Sequence, residues 1–144
     1  MDRFYTDLRY ENGNVKFDSL EKLVFVRSDS VVLLGTVVGQ LSTLSVKASV
    51  CKILPNGKIS APIYSRTVGS GITINVLNSS ERKITIVLIG NGENAADDPG
   101  QKYVADVEFT YDQDFTVGTT VGTATPMRRT LKGEFSIEED YTVI

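Results

Sequence analysis

Apolar side chains recur at every second residue along most of this chain, a period that fits strands and leaves little room for helices. Tyr103, Ala105, Val107 and Phe109 alternate with Val104, Asp106, Glu108 and Thr110. Leu44, Val46, Ala48, Val50 and Leu54 share one parity, while Ser45, Lys47 and Ser49 take the other. Ile72, Ile74 and Val76, then Ile84, Ile86 and Leu88, then Leu131, Gly133, Phe135 and Ile137 repeat the pattern. Val31 to Val38 is almost wholly apolar, which predicts a strand covered on both faces. Nowhere do apolar residues hold the i, i+3, i+4, i+7 spacing over three turns. Asn91 to Asp98 is the one helical candidate, and Gly92 and Pro99 limit it to about a turn.

Turn chemistry separates these segments. Arg27-Ser28-Asp29-Ser30 and Asn78-Ser79-Ser80 read as turns. Pro55-Asn56-Gly57-Lys58 reads as a hairpin turn in which Gly57 takes the positive φ. Pro62 marks an edge position in the returning segment Ile59 to Arg66. Gly90 to Gly100 is a polar loop, and residues 112–130, rich in Thr and Gly, predict a long hairpin with ragged pairing. Regularly spaced short strands with one polar face predict an all-β antiparallel two-sheet β-sandwich of about seven to nine strands. A length of 144 residues fits one such domain.

Residues 1–20 stand apart from the domain expected over 21–144. They are polar with interspersed Phe4, Tyr5, Tyr10 and Phe17. Glu11-Asn12-Gly13-Asn14 is a turn signal, so the segment is either a first hairpin or an extended arm that docks on a neighbour. As an arm it could be deleted through residue 18 with the domain left folded, and its aromatics would bind a partner. The 112–130 hairpin carries Phe115, Val117, Val121 and Met127 among polar residues. These either face a partner or close the chain's own core.

Composition narrows the chemistry. There is no histidine and only one cysteine, Cys51. Ser-His-Asp and Cys-His nucleophiles, histidine-ligated metals and multi-thiolate zinc are therefore excluded. Cys51 itself reads as a packed strand thiol. No Gly-rich run opens a helix, so no phosphate cradle is expected. Glu93, Asp97 and Asp98, or Asp112 and Asp114, have oxygen ligands to offer calcium, but neither set has calcium-loop spacing. Both sets, like Glu138-Glu139-Asp140, read as solvated turn residues. No catalytic residue, metal or cofactor is expected. Tyr5, Tyr10, Tyr64 and Tyr111 are the candidate surface aromatics for a sugar, in a chain without tryptophan.

A formal charge of −3 offers little to nucleic acid, and Arg128-Arg129 with Lys132 reads as solubilising charge. The apolar runs are too short for a membrane-crossing helix, and no membrane partner is expected. Residues 1–7 lack a basic start and apolar run, which leads to the expectation of a cytosolic setting or an assembly made there.

The order of these elements resembles the small Ig-like β-sandwich proteins encoded among the tail and baseplate genes of tailed bacteriophages. That family shows an Arg-Gly-Asp-Ser/Thr turn before a long apolar strand, matched here by Arg27-Ser28-Asp29-Ser30 before Val31-Val32-Leu33-Leu34. A later Pro-Gly-x-Tyr-x-x-Asp-Val/Leu-x-Phe/Leu pattern is matched by Pro99-Gly100-Gln101-Lys102-Tyr103-Val104-Ala105-Asp106-Val107-Glu108-Phe109. The close is matched by Gly133-Glu134-Phe135-Ser136-Ile137 and the acidic residues after it. Ser28 departs from the family's glycine, and the first segment and the 112–130 hairpin are long for the pattern. The resemblance spans about residues 22–142. It implies an Ig-like fold and a virion structural protein of the tail or baseplate, made in the host cytoplasm. Other virion proteins and further copies of the chain would be its partners. A capsid decoration protein and a carbohydrate-binding module are the alternatives.

Overall fold

The period-two segments become strands of one continuous curled sheet. The computed structural model describes residues 4–19 and 23–138, and the side chains of residues 115–117 and 124 lie outside that description. Nine strands follow in chain order: β1 Tyr5–Tyr10, β2 Leu23–Val26, β3 Val31–Val38, β4 Leu41–Ile53, β5 Tyr64–Val68, β6 Gly71–Asn78, β7 Glu81–Ile89, β8 Lys102–Val117 and β9 Thr120–Glu138. Their order across the sheet is β1-β3-β7-β6-β5-β4-β8-β9-β2. No helix occurs among the described residues, and Asn91–Asp98 forms turns.

The pairing is not antiparallel throughout, as the alternation alone predicts. β2 runs parallel to β9, and β5 meets β6 in parallel over Thr67↔Gly71 and Val68↔Ile72 only. Elsewhere antiparallel register places inward residues against one another, as in Val46↔Phe109, Ala48↔Val107 and Val50↔Ala105. On the outer face the same register sets Lys47 opposite Glu108 and Asp106 opposite Lys132. Opposite charges at facing positions favour this register over a one-residue slip, which would also turn the core residues outward.

The core fills the hollow of the curl, with Val31, Leu33, Val37, Ile84, Ile86 and Leu88 on one side and Val46, Val50, Tyr103, Val107, Phe109 and Ile137 on the other. Three expectations fail at its margins. Leu54 follows the end of β4 and is exposed. Val76 is exposed because β6 there runs past the cover of the curl. Leu34 and Val38 are partly exposed, so β3 is covered on its inner face only.

The first segment is part of the sheet, not an arm. β1 pairs with β3 from Tyr5↔Val38 to Tyr10↔Leu33. The chain then turns at Glu11–Asn14 and returns beside itself, with the Tyr10 N–H donating to Val15 O (2.8 Å) and the Phe17 N–H to Leu8 O (2.8 Å). Phe4, Tyr10 and Phe17, expected on a partner, are buried in this chain's own core. Phe4 stacks on Tyr111 with ring centroids 4.2 Å apart. Tyr10 packs among Phe17, Phe25 and Phe135 at 5.5–6.2 Å.

Two strand glycines make room for this segment. A methyl group at Gly35 would fall on the Asp7 carbonyl oxygen, and one at Gly133 would lie 2.5 Å from Phe17 O. Both obstacles are backbone, so neither position has space for a side chain. An isolated glycine inside a strand is a sequence signal for such an approach.

Candidate protein-binding surface

The curled sheet has two poles of different construction. At the first, the β2–β3 turn lies against the β7–β8 loop. Ser28 takes φ 76°, a left-handed conformation that glycine adopts without strain and other residues rarely take. The Ser28 N–H donates to Asn94 Oδ1 (2.6 Å), and the Gly92 N–H donates to Ser28 O (2.6 Å). Asn94 is fully buried, the single buried polar residue among those described.

Two of the three carboxylates of the β7–β8 loop, those of Glu93 and Asp97, are engaged. Arg66 Nη2 meets Glu93 Oε1 at 2.5 Å, and the Gly90 N–H donates to the same carboxylate. The Tyr64 hydroxyl donates to Glu93 O (3.0 Å), and the Arg66 guanidinium lies 5.4 Å from the Tyr64 ring centroid. Lys52 Nζ meets Asp97 Oδ1 at 2.7 Å, and the Tyr103 hydroxyl donates to Asp97 Oδ2. Glu93 and Asp97 thus act as fasteners of the loop. Burial, and then the carboxylates of Asp97 and Glu93, hold the Tyr64 phenol above its ordinary range.

The second pole gathers the β3–β4 turn, the β6–β7 turn and the β8–β9 hairpin. The Gly39 N–H donates to Ser80 O (2.9 Å), and the Asp114 N–H donates to Gln40 O (2.8 Å). Tyr5 sits opposite Val38 beside them. Exposed apolar residues collect here: Tyr5 (60% exposed), Val76 (67%), Leu77 (49%), Val121 (77%) and, less fully, Val38 and Met127.

The hairpin extends past the rest of the sheet. β4 accompanies β8 only as far as Leu41↔Gln113, whereas β8 and β9 pair on to Val117↔Thr120. The ribbon beyond Gln113 therefore projects by about 13 Å at the usual strand rise. Its own bonds hold it: Thr123 Oγ1 donates to Asp114 Oδ1 (2.9 Å), and Thr125 Oγ1 donates to Asp112 Oδ1. Asp112 and Asp114 are thereby occupied within the ribbon. β2 pairs only with Phe135–Glu138, so the outer edge of β9 from Thr120 to Glu134 has no neighbouring strand among the described residues. From Phe115 to Met127 the sequence carries no charge.

Of the residues expected to bind partners, Tyr5, Val121 and Met127 are exposed at this second pole, and Phe4, Tyr10 and Phe17 are core. Phe115 and Val117 lie in the projecting ribbon, with side chains outside the described set. Of the four tyrosines weighed as sugar platforms, Tyr10 and Tyr111 are buried, Tyr64 is bonded into the loop network, and Tyr5 is exposed. Sequence reasoning missed Val76 and Leu77. Their parity suggested a strand with one inward face, and nothing local shows where the cover of the core ends.

No protein-family model matches the chain. No curated protein matches it either. Among solved structures it is similar to a DUF4785 family protein from Legionella pneumophila, at 13% identity and a TM-score of 0.37, over 94% of this chain and 28% of that one. The chain spans little more than a quarter of that protein's length, and so loose a superposition carries no argument about fold or function.

Elsewhere, a cleft of about 510 Å³ lies on the outer face of β1, β3 and β7, lined by Asp7, Arg9, Leu34, Thr36, Asn75 and Lys83 among others. Arg9 Nε lies 3.2 Å from an Asp7 carboxylate oxygen, so that acid is already paired. Cys51 sits half-buried on β4. Burial first, and the Asp106 carboxylate second, raise its thiol above the ordinary range and disfavour the nucleophilic thiolate.

Proposed function

We propose that this chain is a non-catalytic structural protein that binds other proteins through its second pole, as a tail or baseplate component of a tailed bacteriophage. The observation that carries the binding role is the projecting β8–β9 ribbon. Its β9 edge is unpaired, it lacks charge from Phe115 to Met127, and Val121 stands exposed on it. Uncovered edges of this kind pair readily with other strands, and proteins ordinarily blunt them with charge or shortness. A ribbon of two strands alone is marginally stable in water, so contact with a partner would order it further. The phage setting rests on the order of the sequence motifs, to which Ser28 in a glycine-like conformation adds support.

The finer reading of the fold is part of the same proposal. Divided at the two-residue β5–β6 contact, the strand order becomes β1-β3-β7-β6 and β5-β4-β8-β9-β2. That is the order of an Ig-like sandwich in which the first strand is shared between sheets, with β2 lying parallel to the last strand. In that arrangement the β3–β4, β6–β7 and β8–β9 connections cluster at one end.

The test replaces Phe115–Gly122 with Asn-Gly, which joins the facing pair Asp114 and Thr123 by a two-residue turn. The shortened chain should melt within about 3 °C of the parent, since the removed strand ends pair only with each other. In cells producing particles, tagged parent chain should purify with tails and the shortened chain should stay unassembled. Parent chain found only outside particles would contradict the phage reading. Equal incorporation of both chains would contradict the role of the ribbon.

A further inference from the structure

We infer that two copies of this chain pair through their second poles, the β8–β9 ribbon of each adding as a strand to the β6 edge of the other. The inference rests on the binding role given to that pole and names the partner as a second copy. Among the described residues, several strand edges stand open, and they differ in how they are protected. β1 carries Asp7 and Arg9, β2 is only four residues long, and the β4 edge from Leu41 to Val46, which β5 does not reach, is met by the Arg82 guanidinium, whose Nη2 donates to Leu41 O. Charge and shortness both discourage strand addition. The ribbon and β6 have neither protection.

β6 pairs with β7 on one side from Ile72 to Asn78, while β5 reaches only Gly71 and Ile72 on the other. The edge from Thr73 to Asn78 is therefore open, and the sequence from Thr67 to Ser80 carries no charge. Val76 and Leu77 lie where the β6–β7 register shifts, and both are exposed. A strand added here would gain main-chain hydrogen bonds and apolar cover from these two side chains.

Neutrality selects the occupant. A charged strand laid on either edge would lose solvation without a counter-charge to meet it. The ribbon and the β6 edge each supply the uncharged, β-branched strand that the other lacks. Geometry then sets the symmetry. Both edges lie at the same pole, linked through the β3–β4 turn by the Gly39–Ser80 and Asp114–Gln40 hydrogen bonds. Two copies facing pole to pole about a two-fold axis make the contact twice, and the assembly closes. One ribbon on one edge is a small contact, and reciprocity doubles the buried area.

The experiment uses the full chain with Cys51→Ser, so that introduced cysteines are the only thiols. Val76→Cys and Val121→Cys, each exposed, are made singly with different tags, mixed and oxidised. The expected result is twice the monomer mass by light scattering and a disulfide joining the two differently tagged chains, with little linkage within either pool. A monomer at the highest soluble concentration overturns the inference. So does a disulfide confined to Val121→Cys with itself, which would mean ribbon against ribbon. Val121→Lys, free of any thiol chemistry, should weaken the dimer by roughly tenfold or more through burial of an unpaired charge. An undiminished dimer would likewise overturn the inference. Failure here is separable from failure of the proposed function. A monomer whose ribbon is still required for entry into particles removes only the dimer. A dimer whose ribbon is dispensable for entry removes only the assembly role.

Discussion

The two poles are built from similar material, turns and loops between strands, yet one is closed by its own bonds and the other is left open. At the first pole even exposed apolar residues sit on satisfied backbone. The loop bearing Leu54, Ile59 and Ile63 donates from Leu54 N–H to Lys58 O, from Ser60 N–H to Lys52 O and from Ile63 N–H to Val50 O. At the second pole the exposed apolar residues other than Val38 lie on strands with an edge that has no partner strand. Exposed apolar side chains alone do not distinguish the two; unpaired main-chain edges do.

Beneath the first pole lies the cluster of Tyr10, Phe17, Phe25, Tyr103 and Phe135. The largest expected effect comes from removing its N-terminal share. Deletion of residues 1–18 takes Phe4, Leu8, Tyr10 and Phe17 from the core and should abolish cooperative unfolding by circular dichroism. A truncated chain that still melts cooperatively would restore the arm reading.

Next is Asn94→Ala, which strips the Ser28 N–H of its acceptor and should cost about 1–3 kcal/mol in urea denaturation. A cost near zero would mean that the first pole is not held by this residue.

A smaller effect is expected at Tyr10, whose buried hydroxyl has no hydrogen-bond partner among the described residues. Burial raises its phenol pKa well above the ordinary value of 10. The folded state therefore keeps the proton after the unfolded chain has begun to lose it. Stability from this residue is complete below pH 10 and falls as pH rises further, by up to about 1.4 kcal/mol per unit. Tyr10→Phe should be neutral or slightly stabilising at pH 7, and measured stability from pH 9 to 11 should show a shallower alkaline decline than in the parent.

The smallest effect on stability belongs to the second pole. Val121→Lys should change unfolding free energy by less than about 0.5 kcal/mol while weakening self-association.

Much of the sheet was legible in alternation because a half-buried strand must alternate, as Tyr103 to Phe109 does. Gly57 was legible because its turn requires positive φ, and it takes φ 82°. β1 carried the same signal, with Phe4, Leu8 and Tyr10 at one parity and Asp7 and Arg9 at the other, but a short polar strand reads equally as an arm. The glycines at 35 and 133 were its independent trace. The burial of Asn94 left no trace, since asparagine in a polar loop is ordinary. Nor did the parallel pairings, which depend on partners far away in sequence. The open pole was half legible: the uncharged ribbon could be read from composition, while the β6 edge appears only once β5 is seen to stop short.

Hydrogen–deuterium exchange of the free and the assembled chain tests the contrast between poles most directly. Amides facing the open edges of Thr73–Asn78 and of the ribbon strand Thr120–Ala124 should exchange quickly in the isolated monomer and slow markedly on assembly, while the hydrogen-bonded loop amides such as those of Gly92 and Gly100 exchange alike in both. Equal exchange of the ribbon in both states, or protection gained at 90–100 instead, would contradict the account.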